Sequence, residues 1–422
     1  MADLMDIMMS PPPAEPVIID VPVPAHVPRN LVRDLRAFQG LVPNDLDDPY
    51  LPCVRLRDAD VPPVMWSPFP QTWITSGMWV VTSYKDCAKV YQDTDHFISG
   101  GAADFQRLIG ETFRCLPLSY DDKAHLAYRR FLNPFFTPKA VGEMNGYIRQ
   151  LCDDMIEPFV ARGGGDFAYD FARVFPVKVF LTLMGFPHAM LDQFLTWEDK
   201  ILHSRDFDIM RVALTEVLAY LRAIMADRQA VPQDDLLSRI LHGKIDGQPL
   251  TDEEKLGAVF LLWLGGLDTV ASTLGKMFRR LALDHDLQAR LRANPELIPG
   301  AVEEFLRTQP LVYSMRQLRK DLTLHGVEMK AGDWVQALSS TANFDPDAFK
   351  CPRDFDPERK ANRHFTFASG PHLCLGAHLA RQELRIALEH WLRQVPSFGL
   401  AGDADRMVVP GLHATKNMHI AW

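Results

Sequence analysis

The 422-residue chain lacks several features that would place it in common classes of protein. No stretch approaches the roughly 18 uninterrupted apolar residues of a transmembrane helix. Residues 1–28 have neither the basic region nor the apolar run of a secretory signal. The six cysteines form no C-x-x-C pair, which argues against a disulfide framework or a zinc site. A net charge of −9 argues against generic nucleic-acid binding. We therefore expect a cytoplasmic protein that does not insert into membranes.

The chain also lacks the usual marks of a domain boundary. It has no Ser/Gly linker, no long run of charge and no internal repeat, and its 47% hydrophobic content allows a large core. Residues 1–28 are rich in Pro and Met, with three consecutive prolines at 11–13, which predicts an irregular lead. Residues 29–422 are predicted to form a single domain, and a monomer is the default.

Helical periodicity dominates the sequence from residue 122 onward. Apolar residues recur at three- and four-residue spacing over residues 138–161, 168–184, 208–228, 251–284 and 297–307. The fourth segment opens with the capping box Thr251–Glu254, and its middle is apolar on nearly every side, which predicts a long central helix. Val, Ile, Trp and Thr in residues 53–57 and 72–82 predict a small sheet. The predicted fold class is mainly α with a small β portion.

One cysteine, Cys374, lies on a loop bracketed by Gly370 and Gly376, directly before an Ala/Leu/Arg-rich helix. Backbone N–H groups and the positive end of that helix would stabilise a thiolate. A thiolate held in this way is the axial ligand expected for a haem iron that cleaves an O–O bond. The alternative is a buried structural cysteine flanked by capping glycines.

A second segment, Gly265-Gly266-Leu267-Asp268-Thr269, lies in the middle of the predicted central helix. Each glycine costs a helix roughly 1 kcal/mol relative to alanine, so the pair requires a reason. Without side chains, the pair allows close approach of a flat ligand or a local kink. An acid and an alcohol in an apolar helix would be costly without partners. The alternative is a kinked helix whose threonine bonds back to the preceding turn.

The two segments resemble motifs of one known family. The spacing F-x-x-G-x-x-x-C-x-G at residues 367–376 resembles the haem-binding signature of the cytochrome P450 family, and residues 265–269 resemble its acid–alcohol pair. The resemblance covers roughly residues 30–422 and is closest to the soluble bacterial camphor hydroxylase group. It implies the cytochrome P450 fold, with a long central helix over haem b and a cysteine-ligand loop beneath it. It also implies a monooxygenase in which Asp268 relays protons from solvent and Thr269 hydrogen-bonds to the oxygen being cleaved.

Other roles follow from the resemblance alone. It implies that Cys374 ligates the iron, and that Glu304, Arg307 and Arg359 form a structural salt-bridge triad that braces the cysteine loop. The residues implied to bind the cofactor, including its propionates, are His125, Arg129, Gly265, Gly266, Arg316, Phe367, His372 and Gly376.

The resemblance also implies redox partners. Camphor hydroxylases take electrons from a 2Fe–2S ferredoxin that an NADH-dependent reductase reduces. An acidic ferredoxin would be steered by basic residues on the cysteine side of the haem, namely Lys123, Arg129, Arg130, Arg363, Arg381 and Arg385. Scattered surface arginines without a partner are the alternative.

The departure from camphor hydroxylase concerns the substrate. That enzyme holds the camphor ketone with a tyrosine, and the ungapped equivalent here is Phe113, which cannot donate a hydrogen bond. The predicted pocket is apolar and also contains Trp263, and we expect a terpenoid or norisoprenoid substrate; the other predicted lining residues are Phe105, Leu261, Leu264, Val312 and Ser314. A peroxide-driven hydroxylase and a haem sensor or carrier without turnover are the alternatives, and neither needs the acid–alcohol pair.

Overall fold

The computed structural model describes residues 4–39, 51–58, 60–70, 76–101, 104–204, 206–402, 405–409 and 412–422. The α-helices are α1 Leu4–Met9, α2 Leu51–Asp58, α3 Tyr84–Gln92, α4 Asp122–Leu132, α5 Pro138–Glu143, α6 Asn145–Arg162, α7 Val174–Met184, α8 Leu191–Leu202, α9 Phe207–Ala230, α10 Leu236–Leu241, α11 Asp252–Gly266, α12 Asp268–Leu283, α13 His285–Ala293, α14 Ile298–Thr308, α15 Ser339–Ala342 and α16 Ala377–Gln394. The strands are β1 Val64–Ser67, β2 Met78–Val81, β3 Phe97–Ile98, β4 Gly164–Asp166, β5 Lys244–Ile245, β6 Gln248–Pro249, β7 Ser314–Leu318, β8 Leu322–Leu324, β9 Val327–Met329, β10 Trp334–Ala337, β11 Gly399–Leu400, β12 Asp405–Val409, β13 Leu412–Asn417 and β14 His419–Ala421. The mainly α fold with a small β portion is therefore confirmed.

The chain folds into two compact units, each assembled from separate segments. The sheet unit comprises Met1–Ala102, Glu303–Cys374 and Val408–His413, and the helical unit comprises Ala103–Val302, Leu375–Met407 and Ala414–Trp422. The prediction of a single domain over residues 29–422 stays a prediction.

The sheet unit is organised around a five-stranded sheet with the order β1-β2-β10-β7-β3. β2 pairs antiparallel with β1 and parallel with β10, and β7 pairs antiparallel with both β10 and β3. Trp66 on β1 lies opposite Trp79 on β2, and the two rings make an edge-to-face contact with centroids 5.0 Å apart. Both faces of β1, β2 and β10 are buried, which explains their nearly continuous apolar sequences.

The helical unit is built around α11 and α12, whose buried residues include Phe260, Trp263 and Phe278. The predicted capping box is present, since the Thr251 side chain accepts from the Glu254 N–H and the Glu254 carboxylate accepts from the Thr251 N–H. The helix is interrupted at Leu267, between the glycine pair and Asp268. The local kink allowed by the sequence is therefore present.

Three expectations about the N-terminal part change. Residues 53–57 form helix α2 rather than a strand, because Pro52 suits a first helical turn and Cys53 and Leu56, three residues apart, are both buried. Of the strand predicted at 72–82, residues 78–81 form β2, and residues 71–75 lie outside the described residues. The lead is not wholly irregular: it contains α1 and the fully buried Val21, and the Arg36 guanidinium donates to backbone carbonyls of Met8 and Ser10.

One helical stretch among the described residues, Asp252–Leu283, is long and apolar enough to cross a membrane. Most of its apolar window, 72%, is buried inside the protein. The stretch is therefore explained as the core of the helical unit.

Candidate thiolate loop and buried acid–alcohol pair

The loop that carries Cys374 is held by its own backbone within the sheet unit. The Cys374 N–H donates to the Phe367 carbonyl at 3.0 Å, and the Leu373 N–H donates to the Gly370 carbonyl at 3.1 Å. Gly370 has a φ of +70°, and a β-carbon there would collide with the Tyr91 carbonyl oxygen. Gly370 is therefore required by the backbone, whereas Gly376, with a φ of −82°, is not.

The exposure of the thiols separates Cys374 from most other cysteines. Cys374 is exposed, and so is Cys351, whereas the other four are buried. Burial raises the pKa of the Cys87, Cys115 and Cys152 thiols, which makes them inert at neutral pH. A buried structural role for Cys374 is therefore excluded, and an accessible thiol on a fixed loop fits an axial thiolate.

The sheet unit contains the predicted triad around Glu304. Arg307 donates to both Glu304 oxygens, at 2.7 and 2.9 Å, and Arg359 donates at 3.0 Å. Glu304 also accepts from the Asp356 N–H at 2.8 Å and from the Asn362 amide at 2.8 Å. Burial alone would raise the pKa of Glu304, but the Arg307 guanidinium holds it below its usual value. These contacts establish the triad, while its bracing role toward the cysteine loop stays a prediction.

Three further predicted cofactor residues lie in the sheet unit. Arg316 on β7 is buried, and its guanidinium lies over the Tyr91 ring, 5.5 Å from the centroid. Phe367 and His372 are half-buried on the cysteine loop. A buried guanidinium is suited to hold an anionic group such as a propionate.

The two remaining cationic candidates lie on helix α4 of the helical unit. His125 is buried and Arg129, four residues later, is half-buried. The Tyr128 hydroxyl on the same helix donates to the Glu254 carboxylate in the first turn of α11, which fixes α4 against the central helix. His125 and Arg129 thus project from a helix that is anchored in place.

The two glycines of the central helix differ in their surroundings. A β-carbon on Gly265 would meet nothing within 4 Å, whereas one on Gly266 would lie 2.6 Å from the Phe180 ring. Gly265 therefore gives the helix an open face against which a flat ligand fits. Packing against Phe180 explains Gly266, and its predicted contact with a cofactor stays a prediction.

The acid–alcohol pair follows the kink in the helix. The Thr269 hydroxyl donates to the Gly265 carbonyl at 3.1 Å, so the back-bonded threonine considered from the sequence is present. Asp268 is only 2% exposed and accepts from His203 Nε2 at 3.1 Å and from the Ser272 hydroxyl at 3.1 Å. Burial alone would raise the pKa of Asp268, but His203 holds it below its usual value. Asp268 is therefore an ionised, buried carboxylate without direct access to solvent.

Sequence reasoning missed the residues that surround Asp268. Ser272 lies at helical spacing from Asp268, so it could have been found. Glu198 and His203 are contributed by α8 and the residue after it, and no sequence signal links that helix to α12. Lys276, also on α12, is buried, and burial lowers its pKa to about 7.

The residues predicted to line the substrate pocket fall into both units, and those in the helical unit are all apolar. Phe113 is buried and makes an edge-to-face contact with Phe260, with centroids 5.6 Å apart. Trp263 is buried too and stacks on Phe260, and its predicted place in the pocket stays a prediction. Other predicted residues of this unit join the same apolar cluster, namely Phe105, Leu261 and Leu264. In the sheet unit, Val312 is exposed and Ser314 is half-buried.

Comparisons with known proteins agree on one family. The model of the family described as "Cytochrome P450" matches residues 169–396. The probable cytochrome P450 127A1 of Sinorhizobium fredii is 35% identical over 89% of this chain and 91% of its own length. The steroid C26-monooxygenase of Mycobacterium tuberculosis is 36% identical over 68% of this chain and 79% of its own length. The crystal structure of CYP101J2 superposes with a TM-score of 0.83 at 31% identity, covering 95% of this chain and all of that one.

Proposed function

Because the chain belongs to the cytochrome P450 family and is a haem b monooxygenase, we propose that it hydroxylates a small hydrophobic terpenoid or norisoprenoid. The electrons would come from a 2Fe–2S ferredoxin and its NADH-dependent reductase. The observation that carries the proposal is the acid–alcohol pair at the kink of the central helix, which a peroxide-driven enzyme or a haem carrier does not need.

The residues present fit the cofactor. Cys374 is an exposed thiol on a fixed loop, Arg316 is a buried cation, and Gly265 leaves an open helix face. We propose Cys374 as the axial ligand, with the propionates held by His125, Arg129, Arg316 and His372 and the loop contacts made by Phe367 and Gly376. When bound, the haem activates O2 for insertion of one oxygen atom into a C–H bond.

The chain's own residues would manage protons during this reaction. The Thr269 hydroxyl uses its hydrogen in the bond that it donates to the Gly265 carbonyl. The lone pairs of the Thr269 oxygen therefore stay available, and this oxygen can accept a hydrogen bond. Asp268, one residue earlier, is the group that would pass protons toward Thr269. Its burial means that the protons reach it through neighbouring side chains rather than directly from water.

The substrate class is supported by the apolar wall of the helical unit. Phe105, Phe113, Leu261 and Leu264 offer no hydrogen-bond donor, so a substrate would be recognised by shape and apolar area. For the electron donor, Lys123 and Arg130 on α4 are exposed, and Arg381 and Arg385 on α16 are half-exposed. We propose these cations, with Arg129 and Arg363, as the docking site of an acidic ferredoxin in the cytoplasm.

The first experiment is the carbon monoxide difference spectrum of the reduced protein, for wild type and Cys374→Ser. We expect a long-wavelength Soret band of a thiolate-ligated haem in the wild type and its loss in the variant, with Cys351→Ser as the matched exposed-thiol control. Terpenoids and norisoprenoids are then screened by the spin-state shift. A wild-type spectrum without the thiolate band would refute the assignment of Cys374.

Turnover is tested with ferredoxin, reductase and NADH. We expect hydroxylated product to depend on all three and Thr269→Ala to uncouple NADH consumption from product. Unchanged coupling in Thr269→Ala would refute the proton-delivery role, and efficient turnover with peroxide alone would favour the peroxide-driven alternative.

A further inference from the structure

Asp268 requires a source of protons inside the protein. Its carboxylate accepts hydrogen bonds from His203 and Ser272 and is nearly inaccessible to water. Each hydroxylation consumes protons, so a group within the helical unit must replace what Asp268 passes on.

Glu198 on α8 is the buried group best placed for this task. Its side chain is fully buried, and no fixed hydrogen-bond donor among the described residues reaches either carboxyl oxygen. The Asp268 carboxyl lies close enough for a hydrogen bond that requires a proton on one of the two acids. One carboxyl oxygen of Glu198, one of Asp268 and a ring nitrogen of His203 all lie within 4.8 Å of one another. A buried carboxylate without hydrogen-bond donors is costly, and two carboxyl groups this close do not both ionise readily. The geometry therefore favours one proton shared by the pair.

The charges around the pair place that proton on Glu198. Burial and the negative charge of Asp268 raise the pKa of Glu198 well above its usual value, against the opposing charges of His203 and Arg173. Burial alone would lower the pKa of His203, but hydrogen bonds to Asp199 and Asp268 raise it to about 10. At neutral pH the imidazolium of His203 thus compensates the carboxylate of Asp268. The same three groups could ligate a metal only if this imidazolium gave up a proton, because it has no free lone pair.

The cluster has a connection to the surface. His203 Nδ1 lies 3.2 Å from a carboxylate oxygen of Asp199, whose side chain is 48% exposed. His203 Nε2 faces Asp268 on the other side of the ring. An imidazole between an exposed and a buried carboxylate is a suitable route for returning protons from water.

We propose that Glu198 stores the proton that Asp268 delivers, and that His203 and Asp199 restore it from solvent. The inference rests on the proposed monooxygenase function. In the transfer, the O–H bond of Glu198 breaks as an O–H bond forms on Asp268. An N–H bond of His203 then breaks as the O–H bond of Glu198 forms again, and His203 regains a proton by way of Asp199 from a solvent hydronium ion, so no electrons move. The transfer is uphill at rest, which keeps Asp268 ionised until the reaction draws a proton. Glu198 acts through Asp268 and is therefore a positioning residue.

The protonation of Glu198 is tested by infrared spectroscopy of the resting holoprotein at neutral pH, with and without ¹³C-labelled glutamate. We expect the carbonyl band of a neutral carboxylic acid to disappear in Glu198→Gln. Glu383 on α16 is the matched control, because it is also buried and burial raises its pKa well above the usual value. Asp268→Asn should shift the band lost in Glu198→Gln and leave the band lost in Glu383→Gln unchanged. A Glu198→Gln spectrum identical to that of the wild type would overturn the proposal.

The relay itself is tested by turnover. We expect Glu198→Gln to lower the product formed per NADH by about tenfold or more and to increase the solvent isotope effect, with partial recovery in Glu198→Asp. Glu216→Gln on α9, which removes a carboxylate bonded to Trp197, is the control and should keep normal coupling. Loss of the infrared band with normal coupling would overturn the relay. A missing thiolate band in the carbon monoxide spectrum would refute the proposed function instead, because the infrared result does not depend on it.

Discussion

Replacing Glu304 should destabilise the sheet unit more than any other single substitution in the triad. Glu304 and Arg307 are both fully buried, and the Glu304 carboxylate accepts five hydrogen bonds, two of them from Arg307. Removing one partner of such a pair leaves an uncompensated buried charge and costs about 3–5 kcal/mol. We expect Glu304→Gln to lie in this range, because its amide keeps one acceptor but loses the charge that compensates Arg307.

The other members of the triad allow a graded comparison. Arg307 also donates to the carbonyls of Asn343 and Pro352, at 3.0 and 2.7 Å. A lysine ammonium cannot reach both carboxylate oxygens and these carbonyls, and each buried carbonyl left without a donor costs about 1–3 kcal/mol. Arg307→Lys should therefore cost a few kcal/mol, whereas Arg359→Lys should cost about 1 kcal/mol because several Arg359 contacts are exposed.

The assay is urea unfolding of the holoprotein, followed by haem absorbance and by far-ultraviolet circular dichroism. The double variant Glu304→Gln/Arg307→Met should cost less than the sum of the two single changes, because it leaves no unpaired charge. Single costs below about 1 kcal/mol that simply add would refute the reasoning. Such a result would mean that the triad behaves like an exposed ion pair.

Two further predictions concern the helical unit. Gly266→Ala should destabilise the haem-free protein by about 1–3 kcal/mol in thermal or urea unfolding, because its β-carbon would lie 2.6 Å from Phe180. Gly265→Ala, whose β-carbon would meet nothing within 4 Å, should be neutral or stabilising in the same haem-free protein, and equal effects would contradict the packing assignment. Folding raises the pKa of His203 to about 10. Its contribution to the free energy of unfolding is therefore fully present below about pH 6.5 and is lost as the pH rises through about 10. Folding lowers the pKa of Lys276 to about 7, so its contribution to the free energy of unfolding rises with pH between about 7 and 10.5. Melting temperatures from pH 6 to 10 should therefore rise more steeply with pH in His203→Gln than in wild type and less steeply in Lys276→Met, and parallel profiles would refute the assigned shifts.

The sequence predicted what depends on local pattern. Thr251 and Glu254 are three residues apart, so their capping box required only the helix that contains them. The strand predicted at residues 53–57 was wrong because a segment of only five residues with apolar side chains also fits a short helix whose buried side is Cys53 and Leu56. Short apolar runs do not separate the two periods, and tertiary packing decides between them.

The sequence did not predict how Asp268 is held, and the reason is physical. An acid in an apolar helix indicates that hydrogen-bond partners must be present. Partners at helical spacing, such as Ser272, contact only one side of the carboxylate. The remaining side of Asp268 faces α8, which brings Glu198 and His203 into place through packing of apolar residues and not through any motif. The same motif, Gly-Gly-Leu-Asp-Thr, could therefore deliver protons at a different pH in another chain with another helix beside it. If Glu198 stores the proton here, helix α8 sets the pKa of the group that donates the proton, and the motif sets only where the proton is delivered.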